Sequence, residues 1–145
     1  MNEKIIEKLL YAESDEDAKA WVAACRDPEA LYVFAFNYNL DDGFEIPDSI
    51  LSNPLCTIST ARLLFFRADG AAYLRSKAFD ADLPEWSTFI AKLYERLIAQ
   101  EFQPDTFQFV VPLSKVQKFK LKKELGAKEL FLLEDSDGIN LDIEV

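Results

Sequence analysis

The sequence predicts a mainly α fold: a compact helical body over about residues 1–102 with a small C-terminal α+β part, strand, helix and β-hairpin, over about 103–145. Three observations predict it. Apolar residues recur at helical spacing through the first two thirds of the chain. Only 4 Gly and 6 Pro punctuate the 145 residues, while 12 Phe and a 50% hydrophobic content supply a core. The last third instead shows short apolar runs bounded by turn residues. A chain of this length forms one domain that buries roughly 68–70% of its unfolded surface, so no metal or disulfide is needed to stabilise it.

Residues 3–12 open as a short amphipathic segment. Ser14 or Asp15 caps a second helix whose Ala18, Trp21, Val22 and Cys25 fall at i, i+3, i+4, i+7. Asp27 and Pro28 restart the chain as N-cap and first helical residue. The helix that follows carries Leu31, Val33, Phe34, Ala35, Phe36 and Tyr38, is apolar nearly all round, and is expected at the centre. Pro47 starts a short helix that stops near Asn53-Pro54, and Thr57 or Ser59 caps a longer one through Ala61, Leu64, Phe65 and Ala68. Asp69-Gly70 breaks or kinks it before Ala71 to Lys77, and residues 79–84 form a loop. Trp86, Phe89, Ile90, Leu93, Leu97 and Ile98 then make the clearest helical stripe in the chain. In the tail, residues 106–111 read as a strand, Pro112 opens a lysine-rich helix closed by Gly126 as C-cap, and residues 129–133 and 139–143 read as a hairpin turning through Glu134 to Gly138.

The net charge of −10 repels nucleic-acid phosphates and anionic membranes, so neither is expected as a partner; solubility or a basic protein partner is. Two glutamates within the first seven residues and no sustained apolar run argue against a signal peptide, and no apolar stretch is long enough to span a bilayer. Cys25 and Cys56 form no close-spaced motif and read as reduced, structural thiols of a cytoplasmic protein.

Histidine is absent, which removes the commonest general base and zinc ligand and every Ser-His or Cys-His pair. No phosphate loop, dinucleotide fingerprint or paired-cysteine motif occurs. Any catalysis would rest on carboxylates, and Asp41, Asp42, Glu45 and Asp48 are the best cluster. Such residues act as acid and base or hold Mg²⁺ or Mn²⁺; alternatively Asp41 and Asp42 cap backbone N–H groups in a turn, with Asn39 in a left-handed conformation and Gly43 at positive φ. The Asp135 to Asp142 segment lacks the third ligand of a calcium loop and reads as a turn. Lys115, Lys118, Lys120, Lys122, Lys123 and Lys128 form the one basic concentration, read first as a solvated face, otherwise as an anion-binding or partner site, or as a counterweight to the acidic tail from Glu134 to Glu144.

The stretch Asn37-Tyr38-Asn39-Leu40-Asp41-Asp42-Gly43, followed by Asn53-Pro54-Leu55-Cys56 and Thr60-Ala61-Arg62-Leu63-Leu64, resembles an uncharacterised bacterial domain family marked by an Asn-Tyr-Asn-x-Asp-Asp-Gly motif, Asn-Pro-x-Cys and a Thr-Ala-x-x-Leu helix. The resemblance runs from about Leu31 to Tyr73. It implies a small bacterial cytoplasmic protein and transfers no catalytic residue. The expected function is a non-enzymatic protein-binding module, of the kind by which immunity proteins neutralise basic partners, with no cofactor or metal. Its expected binding residues are Asn37, Asn39, Asp41, Asp42, Phe44 and Glu45. The alternative is a carboxylate-dependent enzyme, with or without Mg²⁺ or Mn²⁺, centred on Asp41, Asp42 and Glu45.

Overall fold

In the computed structural model, which describes residues 1–145, two apolar helices lie at the centre and the others pack around them. The α-helices are α1 (Glu3–Tyr11), α2 (Asp15–Ala24), α3 (Pro28–Asn37), α4 (Glu45–Ser52), α5 (Ile58–Arg67), α6 (Gly70–Ser76), α7 (Pro84–Ile98) and α8 (Lys115–Lys122), with 3-10 helices at Leu40–Asp42 and Ala127–Leu133. Helix α3 buries Ala30 to Ala35 without interruption, as its all-round apolar text requires. Helix α5 is equally central, burying every residue from Ser59 to Phe66. It packs on α3 at one side and on α6 and α7 at the other, while α2 lies against α4.

The helix boundaries follow local chemistry. Ser14 Oγ accepts the Asp17 N–H at 3.2 Å, and Asp27 Oδ1 accepts that of Glu29 at 3.0 Å ahead of Pro28. Thr57 stands at the N-cap of α5 without a side-chain cap bond. The distant Asp105 serves instead, accepting the Ser59 N–H at 2.9 Å and the Ser59 hydroxyl at 2.8 Å. Asp69 has φ 60° where α5 gives way to α6, and the Trp86 indole N–H reaches the Ala68 carbonyl beside that break.

The expected α+β tail is not formed; the chain is mainly α and contains no β-strand, only isolated bridges. The 106–111 segment is extended, but it meets Ser136 and Ile139 through single bridges at Phe109 and Phe107. The 129–133 segment is helical, for two reasons. Glu129 reaches back to accept the Gly126 N–H at 3.1 Å, which closes a first helical turn. Adjacent Leu132 and Leu133 are both buried, which a strand with one covered face cannot achieve. Gly126 therefore precedes the 3-10 helix and does not cap α8, which ends at Lys122. Gly138 does turn the chain, at φ 152°, but its backbone lies against Thr106 so closely that a Cβ would stand 1.9 Å from the Thr106 carbonyl oxygen. This close approach joins 136–139 to 106–109, and the expected hairpin between 129–133 and 139–143 is absent.

Buried Arg62 ties the tail to the body. Its guanidinium lies 4.8 Å from the Phe109 ring centroid and donates to the carbonyls of Leu132 and Glu134. Phe107, Phe109, Val111, Leu121, Leu132, Leu133 and Leu141 join the same hydrophobic cluster as the helical body. No helix is long and apolar enough to cross a membrane.

Candidate functional site

The distinctive motif is first a piece of joinery. Asn37 at the end of α3 donates from Nδ2 to the Val33 carbonyl at 2.8 Å and the Ile143 carbonyl at 2.7 Å, and its Oδ1 accepts the Val145 N–H at 3.1 Å. The amide thus holds the C-terminal segment to α3, where Tyr32 also donates to Asp142 at 2.8 Å. Tyr38 donates to the Gly43 carbonyl at 3.1 Å, and burial first, then the Asp42 carboxylate, pushes its phenol up to about 12, so it remains a donor at neutral pH.

The turn differs from expectation in its details. Asn39 is extended at φ −89°, not left-handed, and its Oδ1 accepts the Asp41 N–H at 3.0 Å. Asn39 is the cap of the 3-10 turn; Asp41 and Asp42 cap nothing and stay exposed. Gly43 has the expected positive φ, 110° with ψ −178°, a region open essentially to glycine alone.

In the second motif segment, Asn53 donates to the carbonyls of Val22 at 2.8 Å and Cys25 at 3.0 Å, closing the C-terminus of α2. Cys56 is buried, and burial pushes its thiol up to about 12. Cys25 lies just past α2, half-buried, and burial raises its thiol as well.

Of the expected carboxylates, Asp42, Glu45 and Asp48 border one open groove, and Asp41 does not. Glu45 pairs outward with Lys19 at 2.8 Å, and the hydrogen bond to that ammonium holds its carboxyl below the usual range. No group of three or more Asp, Glu, Cys or His residues is arranged to hold a metal ion.

What the turn builds is an open groove of about 660 Å³ between the start of α4 and the start of α7. Phe44 and Phe89 stack in it with centroids 4.6 Å apart and planes at 25°. Asp42, Glu45, Asp48 and Glu85 line it, with Lys92 as the one cation. Burial raises the Asp48 carboxyl, and Lys92 opposes that shift.

Of the six expected binding residues, Asp42, Phe44 and Glu45 meet in this groove. Asn37 and Asn39 line a separate cleft of about 280 Å³ against Leu10, Tyr11 and Asp15, which Asp42 also borders; Asp41 lines neither. Glu85, Thr88, Phe89 and Lys92 of α7 join the groove from outside the expected set. Phe89 lies on the stripe that marks α7 as a packed helix, but nothing local pairs that stripe with Phe44.

Residues 26–98 match the model of a family described as Domain of unknown function (DUF4274), and the chain belongs to that family. The matched half contains both motif segments and every groove residue. No curated protein matches the chain, and no solved structure does.

Proposed function

We propose that this DUF4274 protein is a non-enzymatic binding module of the bacterial cytoplasm, of the immunity type, whose groove between α4 and α7 receives a basic, apolar-anchored segment of a partner protein. The observation that carries the reading is the pairing of an aromatic floor with a rim of one sign. Half-buried Phe44, stacked on buried Phe89, offers an apolar anchor point, and Asp42, Asp48 and Glu85 surround it with Lys92, while Glu45 beside them is paired with Lys19. Apolar centre and charged rim is how protein interfaces divide affinity from steering. The net charge of −10 extends the same field to long range. The outward Glu45–Lys19 pair weighs against the carboxylate-enzyme alternative, since one of its three central residues is already engaged.

The test is recovery of partners from the source bacterium at low salt, followed by stopped-flow association at two ionic strengths. A basic partner is expected, with an association rate that falls as salt rises. Asp42→Lys with Glu85→Lys should slow association further, by about tenfold or more, without moving the melting temperature. An acidic partner, or a rate indifferent to salt, refutes the reading.

A further inference from the structure

Helix α8 and the residues just after it carry the lysine run, and the structure leaves most of that run without an ion pair. Of Lys115, Lys118, Lys120, Lys122, Lys123 and Lys128, only Lys118 reaches a carboxylate, Asp135 at 3.2 Å. The acidic tail thus pairs with one of these lysines and leaves the others without an ion pair. The helix buries Leu121 alone. Its outer stripe runs Val116, Phe119, Lys120, Lys123, at the spacing of one helical face. Val116 is 61% and Phe119 60% exposed, and the Lys123 ammonium lies 4.3 Å from the Phe119 ring centroid. An exposed aromatic–aliphatic pair bordered by cations without ion pairs is a surface suited to an acidic, apolar-floored partner.

We infer that α8 of one copy docks into the α4–α7 groove of a second copy, head to tail. The inference rests on the reading of that groove as a receptor for basic segments. The two surfaces are complementary in both respects: Val116 and Phe119 meet half-buried Phe44, which stacks on buried Phe89, and Lys120 and Lys123 meet the Asp42, Asp48 and Glu85 carboxylates. Within one chain they are not joined, since no α8 lysine pairs with a groove carboxylate and α8 packs chiefly on the Ala127–Leu133 helix. A polyphosphate or an anionic bilayer offers no aromatic floor flanked by carboxylates. The cations are all lysine, moreover, which lacks the bidentate fork that phosphate recognition favours.

Two consequences follow from geometry and charge. A head-to-tail contact leaves a free groove at one end and a free α8 at the other, so it adds further copies, as open chains or closed rings, instead of stopping at a dimer. Each copy carries −10, so long-range repulsion opposes the short-range pairing. Association should therefore peak near 0.1 M salt, where screening acts beyond about 10 Å. It should weaken at about 0.01 M, where repulsion reaches about 30 Å, and again at about 1 M, where contact pairs are screened. The small contact should dissociate weakly, on the order of 10–100 µM.

Sedimentation of the full chain across concentration and salt reads this directly. The weight-average mass should rise continuously past the dimer near 0.1 M salt. Lys120→Gln with Lys123→Gln should remain monomeric with an intact groove, and Asp42→Asn with Glu85→Gln should remain monomeric with an intact α8. Mixed in equal amounts, the two variants retain one productive contact and should form 1:1 dimers that grow no further. Unchanged melting curves would show that both are folded. A wild-type chain that stays monomeric at every salt overturns the inference, as does association that both variants retain. A Lys-Lys-Phe-Lys-Lys peptide separates the two readings. If the chain stays monomeric while the peptide binds in an Asp42- and Glu85-dependent way, self-docking falls and the groove reading stands; if the peptide fails as well, both fall.

Discussion

The substitution Asn37→Asp tests whether the family motif is structural at its most connected residue. It keeps shape and changes only the donor end. Nδ2 donates to Val33 O at 2.8 Å and Ile143 O at 2.7 Å, and an ionised carboxylate can donate to neither. Two lost hydrogen bonds cost about 1 kcal/mol each, and two carbonyls facing a carboxylate add to that, for about 2–4 kcal/mol in all. The loss has a ceiling. The C-terminal segment is held besides by buried Leu141 and the Tyr32–Asp142 bond, and once it detaches from α3 no further penalty accrues. The first readout is therefore local: amide exchange over residues 141–145 should accelerate about thirtyfold for 2 kcal/mol, together with a lower urea midpoint. The pH dependence carries a definite sign. Once protonated, the introduced carboxyl can donate one of the two bonds, so its folded pKa stands above the unfolded value of about 3.9. The variant's deficit should be full above the folded pKa and shrink as pH falls through it. Unchanged exchange in the tail, with an unchanged midpoint, would refute the reasoning and return Asn37 to the set of free binding groups.

Three further outcomes are expected. Gly43→Ala should lower stability by about 1–3 kcal/mol from backbone strain alone, because nothing lies within 4 Å of the added Cβ; equal urea midpoints would exclude the strain. Glu129 is buried, which by itself raises its carboxyl, but Lys77 at 2.6 Å, the Tyr94 hydroxyl and the Gly126 N–H together hold it below the usual range. With the folded pKa depressed, its contribution is present above about pH 4.3 and lost as pH falls through the folded value, so Glu129→Gln should flatten the acid limb of a stability–pH profile; an unchanged limb would contradict this. In thiol labelling near pH 8, half-buried Cys25 should react first and Cys56 only as fast as the chain unfolds, which mass mapping of the labelled peptides would reveal.

Much of the helical body is legible in the sequence because its signals are local. Ser14 and Asp27 announce helix starts through bonds to residues two or three away, Pro28 does so through its fixed φ, and the α7 stripe repeats over about four turns. The tail is not legible, because its structure is decided by distant partners. Glu129 answers to Lys77 and Tyr94, Arg62 to the carbonyls of Leu132 and Glu134, and Asp105 to Ser59 across 46 positions. A short apolar run such as Leu130 to Leu133 fits strand and buried helix alike, and only those contacts choose between them. The Asp-Gly pair at 137–138 does mark a turn, but the segment it brings alongside is 106–109, which no short-range rule selects.

The same distinction separates the motif from the site. Asn37, Asn53 and Gly43 make the text of the chain distinctive, and the fold uses them up. Asn37 holds α3 to the C-terminal segment, Asn53 closes α2, and Gly43 takes a backbone conformation that other residues enter only under strain. A ligand reaching either amide would have to displace a bond the fold already makes. The groups with hydrogen-bonding capacity still open are of ordinary type: Asp42 and Glu85 at the groove, Lys120 and Lys123 on α8. Their significance is in placement, carboxylates around the stacked Phe44–Phe89 pair and ammonium groups beside the exposed Phe119. On the proposed reading, recognition belongs to surfaces that the motif positions and to which it contributes Asp42. Substitutions at Asn37, Gly43 and Asn53 should accordingly act on stability before they act on binding, and charge changes at Asp42, Glu85, Lys120 and Lys123 should do the reverse.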